Sequence, residues 1–141
     1  MDYKELMKQA IEIRNRAYTP YSNYQVGAAL LSESGKVFCG CNVENAAYSP
    51  GICAERTAFV KAVSEGEREF RAIAVIGGAA GGPLELAPPC GICRQVMREF
   101  CDPDTFEIVL GTGTEDYQVY TLSQLLPMSF GPDNLEKKEM A

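Results

Sequence analysis

Two short stretches of this chain hold the residue types that do chemistry. Cys53-Ala54-Glu55 places a thiol two residues ahead of a carboxylate, with Arg56 next, and Pro89-Cys90-Gly91-Ile92-Cys93 places two thiols at i and i+3. The second spacing puts both sulfurs on one side of a helical first turn. A helix N-terminus carries partial positive charge and unpaired N–H groups, so it lowers a thiol pKa and holds the thiolate. If two such ends meet, Cys53, Cys90 and Cys93 offer three thiolates to one cation. Zinc suits them, because it takes soft sulfur readily and prefers four ligands in a tetrahedron. Three protein ligands leave the fourth position for water, the pattern of a catalytic site.

Cys53 and Glu55 do not stack on one helical face. In a first turn, however, the longer side chain can reach the open metal position from the flank. A carboxylate there that is not itself a ligand takes a proton and passes it on; the alternative role is to complement the helix dipole. Three thiolates overcompensate a divalent cation, which weakens its pull on water. Arg56 and Arg94 follow the ligands closely and are expected to donate hydrogen bonds to sulfur; otherwise both are plain surface residues. The chain has no histidine. Serine-histidine and cysteine-histidine catalysis are thereby excluded, as is any zinc site built on imidazole.

These residues need elements to position them. Apolar positions at Leu6, Ala10, Ile13 and Ala17 predict a helix over 2–17 that packs on a sheet. Residues 25–31 and 36–44 flank Ser-Glu-Ser-Gly and predict a β-hairpin. Helices are predicted from about Cys53 to Ser64 and from about Gly91 to Phe100, and buried strands over 71–77 and 106–111. Gly-Ala-Ala-Gly-Gly-Pro after the first of these strands reads as flexible, and 117–127 as a strand and a helical turn. The expected fold is one sheet of about five strands with helices on both faces. Both cysteine-headed helices then begin at the same sheet edge, where open α/β sheets place ligands.

The chain's 141 residues suit a single domain, with 46% apolar and 23% charged residues. A net charge of −6 disfavours a nucleic-acid polymer as partner. The closest approach to a basic run, Glu136-Lys137-Lys138-Glu139, alternates in sign and reads as a solvated tail. The N-terminus lacks the apolar centre of a signal peptide, and no apolar run reaches the roughly 20 residues of a membrane span. The six cysteines are therefore expected to be reduced in a cytoplasmic protein.

Cys53-Ala54-Glu55 followed by Pro89-Cys90-Gly91-Ile92-Cys93 resembles the zinc-dependent cytidine deaminases, in the form whose first ligand is cysteine. AYTPYSNYQVGAAL, CNVENAAYSPGICAERTA, PPCGICRQVMREF and LLPMSFGPDNL are similar to the small homotetrameric deaminases of free nucleosides. The resemblance implies a three-layer α/β/α sandwich with a mixed five-stranded sheet; the single domain is expected to span 1–141, with 131–141 as a flexible tail. It implies one zinc per subunit on Cys53, Cys90 and Cys93. The implied reaction, in pyrimidine salvage, hydrolyses cytidine and deoxycytidine to the uridines and ammonia by a zinc-bound hydroxide, with Glu55 as proton shuttle. Asn42 and Glu44 match the ribose-binding pair, and backbone groups near Ala54 and Pro88 the readers of the base edge. Tyr24 stands where the family usually has phenylalanine against the substrate, a departure that would add a hydrogen bond or a water there. Phe130 matches a residue that reaches a neighbouring subunit's base, and Tyr48 a position at the subunit contact. In a monomer either would be core.

Three other readings compete. Cys90-Gly91-Ile92-Cys93 alone has the spacing of a thioredoxin-like redox motif. A structural zinc site would take Cys39, Cys41 or Cys101 as a fourth ligand. The same chemistry could also serve another substrate, such as a polynucleotide cytosine, guanine or a related aminonucleoside.

Overall fold

In the computed structural model, which describes residues 1–135, α1 (Tyr3–Arg14) starts at Asp2. The Asp2 carboxylate accepts the Glu5 amide at 2.8 Å, capping an otherwise unpaired donor of the first turn. The helix buries Leu6, Met7, Ala10 and Arg14. Its inward stripe is thus rotated from the expected one, with Arg14 buried in place of Ile13. The cause lies in polar bonding: the Arg14 guanidinium donates to the carbonyls of Gln25 at 3.2 Å, Gly78 at 2.9 Å and Ala79 at 2.9 Å. A buried cation is tolerated when its N–H groups find such acceptors.

Five strands form one sheet in the order β2-β1-β3-β4-β5. They are β1 (Gly27–Ser32), β2 (Val37–Cys41), β3 (Phe70–Ile76), β4 (Glu107–Gly111) and β5 (Tyr117–Thr121). β3 and β4 run parallel and the other neighbours antiparallel, so the sheet is mixed. Side chains alternate across it as strand geometry requires. Ala29, Leu31, Ala72, Ala74, Ile76 and Val109 face α1. Ala28, Leu30, Ile73, Val75, Ile108 and Leu110 pack in a second core with residues of α2 (Ala54–Ser64), α3 (Gly91–Phe100) and α4 (Leu122–Leu125). Phe59 gathers Phe70, Phe100 and Phe106 around it in that core, with ring centroids 5.1 to 6.1 Å from its own. The result is the α/β/α sandwich with a mixed five-stranded sheet that the resemblance implies.

Three local departures bear on the site. β2 stops at Cys41, short of the expected 44, and the Asn42 side chain takes over its pairing. The Asn42 carbonyl accepts the Val26 amide at 2.8 Å, and its amide group donates to the Tyr24 carbonyl at 2.9 Å. The run 78–83, expected to be flexible, is hydrogen-bonded back to the chain: Gln25 donates to Gly78, Ala80 to Asn23, and Tyr24 bridges Ala79. Of the expected tail, Pro132–Leu135 form a 3-10 turn and Asp133 pairs with Arg98 at 2.6 Å; residues 136–141 lie outside the described residues. Among the described residues, no helix is long and apolar enough to cross a membrane.

Candidate metal centre and active site

α2 and α3 each take a cysteine as N-cap, Cys53 and Cys90, both in extended conformation. α2 reaches its place because β2 carries glycine beneath it. A Cβ on Gly40 would lie 2.6 Å from the Ala58 nitrogen and 2.7 Å from the Ala54 carbonyl oxygen. α3 follows Pro88 and Pro89, which hold the residues before them out of the helical region. The Cys90 sulfur then accepts the Cys93 amide at 3.4 Å, serving as a cap in place of an oxygen.

The two helix starts bring the three sulfurs together, all within 4.8 Å of one another. Cys53 Sγ lies 3.8 Å from Cys90 Sγ. Zinc–sulfur bonds of about 2.3 Å in a tetrahedron require sulfurs about 3.8 Å apart, so the donor set fits zinc in both chemistry and spacing. Among the described residues this is the only metal-ligand group, and Cys39, Cys41 and Cys101 are outside it. Cys39 instead faces Gln9, and Cys101 is buried at the end of α3. The closed four-cysteine alternative therefore finds no fourth sulfur, and the two-cysteine redox reading leaves the neighbouring Cys53 without a role.

Electrostatics favour a thiolate at Cys53. Its sulfur is held well below the usual thiol range by a hydrogen bond from the Cys93 thiol, against burial, and further by Arg56 and Cys90. Cys93 is pushed up by its interaction with Cys53, by burial and by Glu55. Arg56 Nη2 donates to Cys53 Sγ at 3.6 Å, as expected, while its buried Nε has no hydrogen-bond partner among the described residues. Arg94 departs from expectation. Its guanidinium donates to the Pro89 carbonyl at 2.8 Å and the Leu125 carbonyl at 2.7 Å rather than to sulfur. From within α3 it thereby ties the residue before the ligand Cys90 to the end of α4, and so braces the ligand helix.

Beside the sulfurs lies a cavity of about 300 Å³ lined by Cys53, Ala54, Glu55, Asn42, Tyr24, Val26, Leu86, Ala87 and Pro88. Glu55 is 4% exposed. Burial raises its carboxyl to about 7, with the Cys53 thiolate adding to the rise. A group with that pKa can both take and return a proton near neutral pH. Tyr24, Asn42, Ala54 and Pro88 are thus together with Glu55. Glu44 lies apart, in an adjoining stretch of chain, where its carboxylate accepts the amides of Tyr21 at 3.0 Å and Ser22 at 3.1 Å and the Ser22 hydroxyl. The Ser22 hydroxyl holds this carboxyl below its ordinary range. Glu44 lines a second depression of about 310 Å³ with Tyr21, Ser22, Asn45, Tyr48 and Gly51. Tyr48 and Phe130 are 90% and 60% exposed, so neither belongs to this chain's core. Sequence reasoning missed Val26 and the segment Glu85–Ala87. The alternation of Leu84, Glu85 and Leu86 was the available signal, since Glu85 and Gly77 exchange two backbone hydrogen bonds like paired strands.

Residues 1–109 match the family described as the cytidine and deoxycytidylate deaminase zinc-binding region. The chain is 49% identical to a protein of Halalkalibacterium halodurans named cytidine deaminase, over 96% of this chain and 98% of that one. It is 46% identical to one of the same name from Sporosarcina psychrophila, over 96% of each. The crystal structure of a cytidine deaminase from Burkholderia pseudomallei superposes with a TM-score of 0.81 at 50% identity, covering 92% of this chain and 100% of that one.

Proposed function

The chain belongs to the cytidine and deoxycytidylate deaminase family, and we propose that it hydrolyses cytidine and deoxycytidine to uridine and deoxyuridine with release of ammonia. The observation that carries this reading is a buried carboxyl, Glu55, on the wall of the cavity that opens beside three converged cysteine sulfurs. Cys53, Cys90 and Cys93 would hold one zinc per subunit, which when bound supplies the Lewis acidity that makes water nucleophilic at neutral pH.

The chain's own residues do the rest. A Glu55 carboxylate oxygen takes a proton from the attacking water and delivers it to the ring nitrogen next to the carbon under attack. The same oxygen then takes the remaining proton from the hydroxyl added to that carbon and carries it to the amine, which departs as ammonia as the carbon–nitrogen bond breaks. A carboxyl poised near neutrality serves both transfers. Tyr24 and Leu86–Pro88 flank the base and exclude bulk water, and backbone groups at Ala54 and Pro88 meet its polar edge. Asn42 on the cavity wall and Glu44 in the adjoining depression address the sugar hydroxyls with the donor and acceptor positions that their backbone contacts leave over. Neither depression is lined by a lysine or arginine, and Glu44 and the net charge of −6 repel phosphate. A free nucleoside therefore suits the site better than a nucleotide or a polynucleotide.

Self-assembly into a homotetramer would cover several of the most exposed large apolar side chains: Tyr48, Met128, Phe130 and Leu135 are 60% to 104% exposed. In that assembly Tyr48 lies at the contact and Phe130 reaches a neighbour's site. The cellular role that fits is pyrimidine salvage in the cytoplasm. The test is an ultraviolet assay of cytidine loss with and without a zinc chelator, on wild type and Glu55→Gln. The variant should keep its zinc and lose at least about 100-fold in turnover. Retention of more than a few per cent of the wild-type rate would remove Glu55 from the mechanism.

A further inference from the structure

Tyr24 lines one wall of the Glu55 cavity, and Leu86, Ala87 and Pro88 line another. These walls are far apart in sequence, and a side-chain contact joins them. The Tyr24 hydroxyl donates to Glu85 Oε1 at 3.4 Å, across 61 residues. Burial and the neighbouring Glu85 carboxylate push the phenol pKa up, which keeps the donor protonated. The backbone arranges both partners. Glu85 and Gly77 exchange hydrogen bonds of 2.8 and 3.1 Å, which lays residues 84–88 along the end of β3. Gly77 leaves room for the joint: a Cβ there would lie 2.8 Å from the Tyr24 hydroxyl oxygen and 2.8 Å from the Ala87 Cβ. On the other side, Tyr24 is tied by its carbonyl to Asn42 and by its backbone bridge to Ala79.

Resting on the nucleoside deaminase reading, we propose that Glu85 is a positioning residue: by accepting the Tyr24 hydroxyl it latches residues 84–88 to the Tyr24 wall and sets the width of the base cavity before substrate arrives. A phenylalanine at position 24 fills the same wall but cannot make this bond. The latch acts on binding rather than on proton transfer, because it touches neither Glu55 nor the sulfurs. Its loss leaves the segment to be ordered by the substrate, which weakens ground-state and transition-state binding equally and so raises KM while sparing kcat.

The test compares Tyr24→Phe, Glu85→Ala, Glu85→Gln and the double variant Tyr24→Phe/Glu85→Ala, all zinc-loaded. Tyr24→Phe and Glu85→Ala should each raise the KM for cytidine about twofold to fourfold, the lower part of the span of one net hydrogen bond for an exposed contact of 3.4 Å, with kcat unchanged. Glu85→Gln keeps an acceptor oxygen and should restore a KM near wild type. The double variant should be no worse than either single one, because both remove the same contact. Independently of turnover, hydrogen exchange at the Gly77 and Glu85 amides should quicken in Tyr24→Phe and Glu85→Ala but not in Glu85→Gln. Additive KM effects, a fall in kcat at constant KM, or unchanged exchange would each overturn the latch. Wild-type protein inactive on cytidine would overturn the deaminase reading instead, and the exchange measurement would still decide the contact.

Discussion

Gly40→Ala isolates what positions the first metal ligand. The new Cβ would meet the Ala58 nitrogen at 2.6 Å and the Ala54 carbonyl oxygen at 2.7 Å, where ordinary contacts begin at 3.4 Å. Both obstacles are helix backbone, which cannot rotate aside as a side-chain tip can. The start of α2 must therefore retreat by about 0.8 Å, and Cys53, the residue before Ala54, retreats with it. Protein metal sites hold their ligand distances within about 0.2 Å, so the displaced sulfur leaves bonding range unless the chain distorts again. Zinc affinity should fall about 10- to 100-fold, the scale seen when the supports of a metal ligand are disturbed. Overpacking should also cost about 1–3 kcal/mol of stability. Chelator competition with elemental analysis measures the first effect and thermal melting of zinc-saturated protein the second. Ile108→Val, a trimming of the same buried core, supplies a destabilised control at about 0.5–1.5 kcal/mol that leaves the helix start in place. If Gly40→Ala binds zinc as tightly as that control, the close approach of α2 to β2 does not position Cys53, and the reasoning fails.

Two further outcomes follow from polar contacts around the site. Arg56→Ala removes the hydrogen bond to Cys53 Sγ and should weaken zinc retention about 10- to 100-fold against a chelator; unchanged retention would show that Arg56 does not support the thiolate. Arg14→Leu leaves the carbonyls of Gln25, Gly78 and Ala79 without the guanidinium. It should cost about 1–3 kcal/mol in urea unfolding, and a loss below about 0.5 kcal/mol would mean that water replaces those bonds freely.

The order of elements, the five-stranded sheet and the two cysteine-headed helices were all legible from periodicity, turn residues and capping, because each depends on neighbours a few positions away. The Cys90–Cys93 pair belongs to the same class: helix geometry alone sets i and i+3 side by side. The first misreadings came where a polar side chain chose a distant backbone partner. Arg14 turned α1 towards the carbonyls of Gly78 and Ala79, and Arg94 turned to Leu125 rather than to sulfur.

The amino-acid sequence by itself determined the chemistry available to this protein: thiolates and carboxylates, no imidazole, and an acidic surface. Only the tertiary structure decided which of them meet. Cys53 and Cys90 stand 37 residues apart in the chain and 3.8 Å apart at sulfur, and Tyr24 finds Glu85 across 61 residues. Such distances follow from the register of β2 on β1 and of β1 on β3, and from a glycine that lets a helix settle onto its strand. Those are packing outcomes of the whole sheet, and no local pattern encodes them.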